Sequence, residues 1–556
     1  INGLQKLVAG IHQEGSLAIA HINHAGRAAN PKASNSQPEA PSEIPCPSTG
    51  ASPVEMTVER IREVIKEYAG AARRAVEAGF DAVEIQFGLG YLPAQFISPK
   101  TNHRNDEYGL NNNRYQFISE VLDAVQEETG KDYPVLARIS ATEQSPEGMD
   151  IQDAVTLAQF LEQHGIAALH VVSGSACDSP PWYYQHMRLP LGKNLQWSGQ
   201  IREKVGIPVI AAGRLGNPDD IQEALAKGTV DAIGLGRPLV ADPDLPNKMK
   251  NNRDDTVIQC GACLQGCLMK VKSGEGLGCI VNPEVGRETE RTAKPEKVKK
   301  VVVIGGGPAG MEAALTASER GHEVVLFDKQ NLGGQFNLSY QPPGKEMMKR
   351  PLSSLINRVT NSSIELRLSK EADMESILAE KPETVIVATG ALPVIPSIPG
   401  LNSVLTGEDV LMGGKKIGKH VLIIGGVMVG LECAEYLVKK NHSVTVVELL
   451  EDVARDMDPI TRKMTLASLT QSKVEILTNT KVTRAHGKQV FVERDGNEQI
   501  LGEFDTFVVA VGTRSVNEFE PLLQKEGIDV LVIGDAKQPR QIFDAVRDGF
   551  EAAIAI

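Results

Sequence analysis

The chain has 556 residues, a net charge of −13 and no block of lysines and arginines, which argues against nucleic acid or an anionic membrane as its main partner. No apolar run reaches the length of a membrane span, and this length allows several domains, each with its own core. Of seven cysteines, four fall within twenty residues, which reads as metal binding in a reduced, cytoplasmic protein and not as a disulfide scaffold. The first residue is Ile1 and not methionine, so a targeting segment ahead of it stays open.

From the N-terminus, helices and strands alternate. Helix Leu4 to Gln13 precedes an apolar strand, Leu17 to Ile22. A helix from Thr57 to Ala78 carries Ile61, Val64, Tyr68, Ala72 and Val76 on one face, ends at Gly79 and leads to strand Asp81 to Ile85. Helices at 115–127, 153–164, 198–203 and 219–227 lead to strands at 134–140, 167–172, 208–212 and 230–235. This alternation predicts a parallel sheet of the (β/α)8, or TIM-barrel, type over residues 1–255. Six strands are visible where such a barrel has eight, so the expectation is an N-terminally truncated barrel showing strands 3–8, with about 75 residues missing.

Barrel chemistry sits on the loops that leave the strands' C-terminal ends. Those loops carry His21 and His24-Ala-Gly-Arg27, then Gln86 to Pro99 with Tyr91, then Arg138, Gly213-Arg214 and Gly236-Arg237. Two Gly-Arg turns on adjacent strand ends suit a phosphate, backbone amides plus guanidinium; the plain alternative is that each arginine is a surface or core-capping charge. The loop after the fourth visible strand holds Trp182, Tyr183, Tyr184 and His186 in a chain with 4% aromatics. A substrate lid over a planar enone, a cation–π cage for a methylated amine and an ordinary packed loop all fit it.

Residues 256–295 contain Cys260, Cys263, Cys267 and Cys279, a C-x2-C-x3-C-x11-C spacing with Gly261, Gly266 and Gly278 alongside. Four thiolates so placed suit a four-iron–four-sulfur ([4Fe–4S]) cluster. A structural zinc site remains the alternative, although zinc knuckles come as two C-x2-C pairs and only one is present.

After the charged stretch Lys294 to Lys300, a strand runs into Gly305-Gly-Gly307-Pro-Ala309-Gly310 and a helix, and Asp328 follows eighteen residues past Gly310 at a strand end. Strand, G-x-G-x-x-G turn, helix and acid together form the dinucleotide fingerprint. A second copy runs from Val421 through Gly425-Gly-Val427-Met-Val-Gly430 to Glu448. There Val427 replaces the middle glycine, and its Cβ crowds the pyrophosphate position. Glu448 favours a free ribose 2′-hydroxyl, hence NADH over NADPH; a degenerate domain kept for structure is the alternative.

Several of these residues carry a family resemblance. His24-Ala-Gly-Arg27, Gly90-Tyr91-Leu, Gln95-Phe, Ser98-Pro99, Thr101-Asn102, Arg104, Asp106-Glu-Tyr-Gly109 and Asn113-Arg114 resemble the old yellow enzyme family. With the cysteines and the second half, the resemblance narrows to its multidomain branch, which includes 2,4-dienoyl-CoA reductase, enoate reductases, bile-acid and steroid ene-reductases and trimethylamine dehydrogenase. It implies FMN in the barrel, with Arg138 at the flavin N1/O2 edge, His21 where a glutamine usually reads the pyrimidine edge, and Gly213, Arg214, Gly236 and Arg237 at the phosphate. Tyr91 matches the general acid that protonates Cα, and His186 resembles a histidine that assists. The usual substrate clamp is absent, since Gln86 and Leu89 stand in its place.

Gly333-Gly334-Gln335, the turns ending at Gly390 and Gly512, and Gly534-Asp535 resemble glutathione-reductase-like flavoproteins. That resemblance implies an FAD domain at 296–396, an NAD(H) domain at 397–515 and a return to the FAD domain at 516–556. The expected enzyme is an NADH-dependent ene-reductase, with electrons passing from NADH to FAD, through the cluster to FMN, and to the C=C bond of an unsaturated carbonyl compound. A homo-oligomer is compatible with this. The rival is an amine dehydrogenase or oxidative N-demethylase.

Overall fold

The computed structural model describes residues 1–290 and 294–556; the tail of the predicted cysteine segment, 291–293, lies outside them. Two compact units result, Ile1–Gly236 and Arg237–Ile556.

In the first unit six parallel strands, Ile19–Ile22, Ala82–Gln86, Val135–Ser140, Ala168–Val172, Val209–Ala212 and Ala232–Gly234, pair strictly in chain order. The strands begin and end within two residues of the expected positions because their apolar runs are bounded by polar and glycine residues. Helix Val58–Ala78 is capped by Thr57, whose hydroxyl accepts from the Arg60 amide, and it ends at Gly79 in a left-handed conformation. Its stripe Ile61, Val64, Ile65, Tyr68 and Ala72 is buried against the strands. Helix Ile151–Gln163 starts in a capping box between Asp150 and Asp153. The helix expected at 198–203 is longer, Lys193–Arg202; it is preceded by Gly192 and not by a polar cap, so its start carries no capping signal in the sequence.

One departure concerns the cysteines. Cys46 and Cys177, 131 residues apart in sequence, form a disulfide between two buried loop positions. A single distant pair has no local signature, which is why the cysteine pattern suggested only metal binding.

The second unit holds two further parallel sheets. In the first, strands run in the order Glu365–Arg367, Glu323–Phe327, Lys300–Ile304, Thr384–Val387, Asp529–Val532, so the C-terminal segment returns to the sheet that the first fingerprint opens. In the second the order is Leu405–Thr406, Thr506–Val509, His420–Ile424, Ser443–Val447, Glu475–Leu477, and a three-stranded antiparallel sheet over 480–503 follows it in the chain. The two fingerprint turns are built alike: Gly305 and Gly425 have φ of 109° and 110°, which only glycine adopts without strain. A Cβ on Gly310 would lie 1.9 Å from the Gly305 carbonyl oxygen, and one on Gly430 would lie 2.0 Å from that of Gly425. That closeness lets each helix start directly on its strand. Among the described residues no helix is long and apolar enough to cross a membrane.

Candidate active site

Inside the first unit the strand register sets His21 beside Glu84 and Arg138 beside both Gln86 and His170. Glu84 accepts from both histidines: His21 Nδ1 and His170 Nδ1 each lie 2.8 Å from one of its oxygens. Burial opposes ionisation of Glu84, but the two imidazole hydrogen bonds and the nearby Arg138 charge outweigh it and hold the carboxyl at about 2. With Glu84 ionised, both Nδ1 atoms are donors. His170 Nε2 and Arg138 Nε are buried with no hydrogen-bond partner among the described residues. Two orphaned polar atoms in one interior fit a polar ring such as a flavin, which would satisfy them. Glu84 was not among the expected site residues; its position two residues before Gln86 on an inward-facing strand was the available signal.

Tyr91 opens the short helix Leu92–Ile97, and its loop is pinned from below by Gln95, which donates to the Gly90 carbonyl at 2.8 Å. The Tyr91 hydroxyl meets that of Tyr183 at 2.6 Å, with the rings edge to face. Burial pushes the Tyr91 phenol up, the Tyr183 hydroxyl adds to this, and Arg138 opposes it. Tyr184 stacks edge-on against Tyr183, and burial pushes its phenol up to about 12. Trp182 packs on Trp197 with ring centroids 5.3 Å apart, which is a packing role. His186 is fully buried, its Nδ1 accepting from the Arg188 amide at 3.2 Å, and it is Tyr183 that reaches Tyr91.

The Gly-Arg turns divide. Gly213 lies where a Cβ would come 2.6 Å from the Asn194 side-chain nitrogen, so the backbone there is tightly enclosed. The Arg214 guanidinium donates to the carbonyls of Met187, Leu189 and Pro190 at 2.7–3.0 Å, which braces the aromatic loop. A Cβ on Gly236 would meet nothing within 4 Å, leaving its amide approachable. Arg237 opens helix Arg237–Ala241 and lines the cysteine cavity of the second unit. Arg27 is buried, ion-paired with Asp178 and donating to the Pro45 carbonyl; it ties the first barrel loop to the loops beside the disulfide.

In the second unit Cys260, Cys263, Cys267 and Cys279 line one small cavity, partly open to solvent. Ala262 and Leu264, on either side of Cys263, both have positive φ, 52° and 61°, and both are buried. Non-glycine residues held this way cost free energy and mark sites where backbone direction matters. Cys267 lies on a π-helical turn, Gln265–Met269, and a Cβ on Gly266 would come 2.6 Å from the Gly278 carbonyl, so Cys279 returns in close contact. Burial pushes the Cys263 thiol well up and that of Cys279 to about 12; for Cys267 burial also raises it, against the pull of Arg237. Four half-buried thiols lining one cavity are a donor set that fits a cationic centre, which would favour their thiolate forms. Among the described residues no three ligands converge on a single-ion position.

Around the first fingerprint, Asp328 accepts the Gly306 amide at 2.7 Å, and Gln335 donates to the Ala391 carbonyl. A Cβ on Gly334 would come 3.0 Å from the Gly307 Cα, whereas one on Gly307 or Gly390 would meet nothing within 4 Å. Gly534 and Asp535 begin a helical turn beside Ala309: a Cβ on Gly534 would lie 2.7 Å from that of Ala309, and burial raises the Asp535 carboxyl. In the second copy Glu448 accepts the Gly426 amide at 2.6 Å.

Residues 1–256 match the NADH:flavin oxidoreductase / NADH oxidase family, and residues 299–534 match the pyridine nucleotide-disulphide oxidoreductase family. An NADH oxidase of Thermoanaerobacter brockii is 38% identical, covering 99% of this chain and 86% of its own. A cinnamate reductase of Clostridium sporogenes is 33% identical over 95% of this chain and 82% of its own. The structure of a 2-naphthoyl-CoA reductase complex superposes with a TM-score of 0.94 at 29% identity, covering all of this chain and 87% of that one. Dehydrogenases of methylated amines are also similar, at 32% identity or less. Flavin- and pyridine-nucleotide-binding domains thus follow one another along the chain, and the enzyme belongs to the multidomain, old yellow enzyme-like branch of the NADH:flavin oxidoreductase / NADH oxidase family.

Proposed function

We propose that this enzyme uses NADH to reduce the C=C bond of an α,β-unsaturated carbonyl compound, with Tyr91 as proton donor to Cα. The observation that carries the reading is the Tyr91–Tyr183 hydroxyl pair, 2.6 Å apart and close to the Arg138 charge. An enone reduction needs a neutral, well-placed acid, and the phenol is kept neutral here by burial. Tyr183 holds the Tyr91 hydroxyl in one orientation and returns a proton to it after transfer. Arg138 would face a bound FMN and offset negative charge on it, with the amides of Gly213 and Gly236 at its phosphate. FMN, when bound, supplies hydride for Cβ.

Cys260, Cys263, Cys267 and Cys279 would hold a [4Fe–4S] cluster, whose chemistry is one-electron transfer. The four thiols line one common cavity, which supports this reading. Gly305, Gly307, Ala309, Gly310, Asp328, Gly334, Gln335, Gly390, Gly534 and Asp535 would hold FAD; Gly425, Gly430 and Glu448 would hold NADH.

Two curated relatives support the C=C reading: cinnamate is itself an α,β-unsaturated carboxylate, and a bilirubin reductase is 36% identical. The aromatic loop weighs against an amine cage, because Trp182 packs on Trp197 and Tyr183 is bonded to Tyr91. The test is anaerobic. NADH alone should bleach the flavin, and members of an enone panel, including enoates and acyl-CoA thioesters, should restore its colour. Bleaching by a methylated amine without NADH would instead establish the dehydrogenase reading.

A further inference from the structure

The two dinucleotide fingerprints, opening at Gly305 and Gly425, make matching contacts at their turns, and the match exposes one difference. In the first fingerprint Leu332 packs over Gly306, and the Gly333 amide donates to the Gly306 carbonyl at 2.8 Å. In the second, Val453 packs over Gly426, and the Ala454 amide donates to the Gly426 carbonyl at the same 2.8 Å. Counting on by two, Gln335 corresponds to Asp456. Gln335 turns to the Ala391 carbonyl, to which it donates at 2.9 Å. Asp456 differs: both its oxygens accept the Met428 amide, at 2.9 and 3.1 Å.

Met428 is the first residue of helix Met428–Lys439, where a dinucleotide pyrophosphate sits in this fold. The first fingerprint has Pro308 there, with no N–H to offer. Gly307 and Val427 share one backbone conformation, φ −73° and −74°, so the added Val427 side chain projects where the glycine leaves room. Thus the second cradle contains both extra bulk and an anion.

We propose that Asp456 is a built-in competitor for the pyrophosphate of the nicotinamide dinucleotide: its carboxylate must leave the Met428 amide before NADH or NAD⁺ can seat, and so lowers the affinity of this site. The proposal rests on reading this unit as the nicotinamide site. A carboxylate held at this amide, at the exposed helix start, is repelled by both phosphate charges of an incoming pyrophosphate, and even water-screened repulsion at ~4 Å gives about tenfold or more in affinity.

The experiment is calorimetric titration of the oxidised holoprotein with NAD⁺, which avoids turnover, for wild type, Asp456→Asn and Val427→Gly. Asp456→Asn should bind NAD⁺ about tenfold or more tightly, with nicotinamide mononucleotide, which lacks the bridging pyrophosphate, unaffected and FAD content unchanged. Val427→Gly should also tighten NAD⁺ by relieving bulk. Equal or weaker NAD⁺ binding by Asp456→Asn, or an equal gain for the mononucleotide, would overturn the role of Asp456 while leaving the nicotinamide reading intact. Absence of NAD⁺ binding in all three proteins would overturn that reading and this proposal with it.

Discussion

Replacing Glu84 with glutamine tests the interior of the barrel most directly. Glu84 accepts from two histidines that are otherwise on separate strands, and the pairing holds its carboxyl at about 2 instead of the ordinary 4.5. That difference is worth ~3 kcal/mol in favour of the ionised, folded form at neutral pH. A glutamine offers one acceptor and an NH2 group, so one imidazole Nδ1–H would face a donor and would have to change tautomer. The expected loss is about 2–3 kcal/mol, or roughly 4–12 °C in the melting of a unit this size. Because the folded value lies below the unfolded one, the contribution is complete above the ordinary 4.5 and fades as pH falls toward about 2. Thermal denaturation of the holoprotein, followed by circular dichroism and flavin release, should therefore show a gap between wild type and Glu84→Gln that is full at neutral pH and narrows in acid. A variant that melts with wild type at neutral pH, or a gap that widens in acid, would refute the assignment.

Other outcomes follow from the same geometry. Tyr91→Phe should slow flavin reoxidation by a good enone about 10²–10⁴-fold in anaerobic stopped flow while leaving reduction by NADH unchanged. Tyr183→Phe should slow the same step about tenfold, and ultraviolet titration should show the Tyr91 phenol ionising at lower pH, since the Tyr183 hydroxyl raises it. The raised phenol of Tyr91 also predicts that wild-type enone reduction shows no alkaline fall from this group below its ordinary value of 10. Cys267→Ser should lose most iron and labile sulfide yet keep both flavins, as metal analysis and flavin extraction would show; zinc in the wild type would instead favour the structural-zinc alternative. Gly310→Ala would push a methyl to 1.9 Å from the Gly305 carbonyl, so FAD content should collapse while FMN remains.

Much was legible from residue order alone. The apolar stripes of helix Val58–Ala78 and its neighbours, broken by Gly79 and similar stops, predicted alternating elements because their stabilising contacts are local in spacing. The cysteine run and the two glycine fingerprints are likewise short-range: a tight turn or a four-thiol cavity needs its residues close together in the chain. Several of the loop residues, by contrast, brace backbone carbonyls. Gln95 holds Gly90, Asn102 binds the carbonyls of Phe96 and Tyr108, and Arg214 binds those of the aromatic loop.

What residue order could not show were the pairings made across distance. Tyr183 stands 92 residues from Tyr91, His170 stands 86 from Glu84, and Cys177 stands 131 from Cys46. No periodicity links such positions, because each pair is set by which strands and loops become neighbours in space. Even Asp456, 28 residues from the Met428 amide it binds, looks in sequence like one more surface acid. Sequence determined the elements, the fingerprints and the cysteine site, whose determinants are local. Tertiary structure alone decided the partner of Tyr91, the anchor of the barrel histidines and the contact of Asp456 with the Met428 amide, since hydrogen bonds between distant residues exist only once the chain has closed on itself.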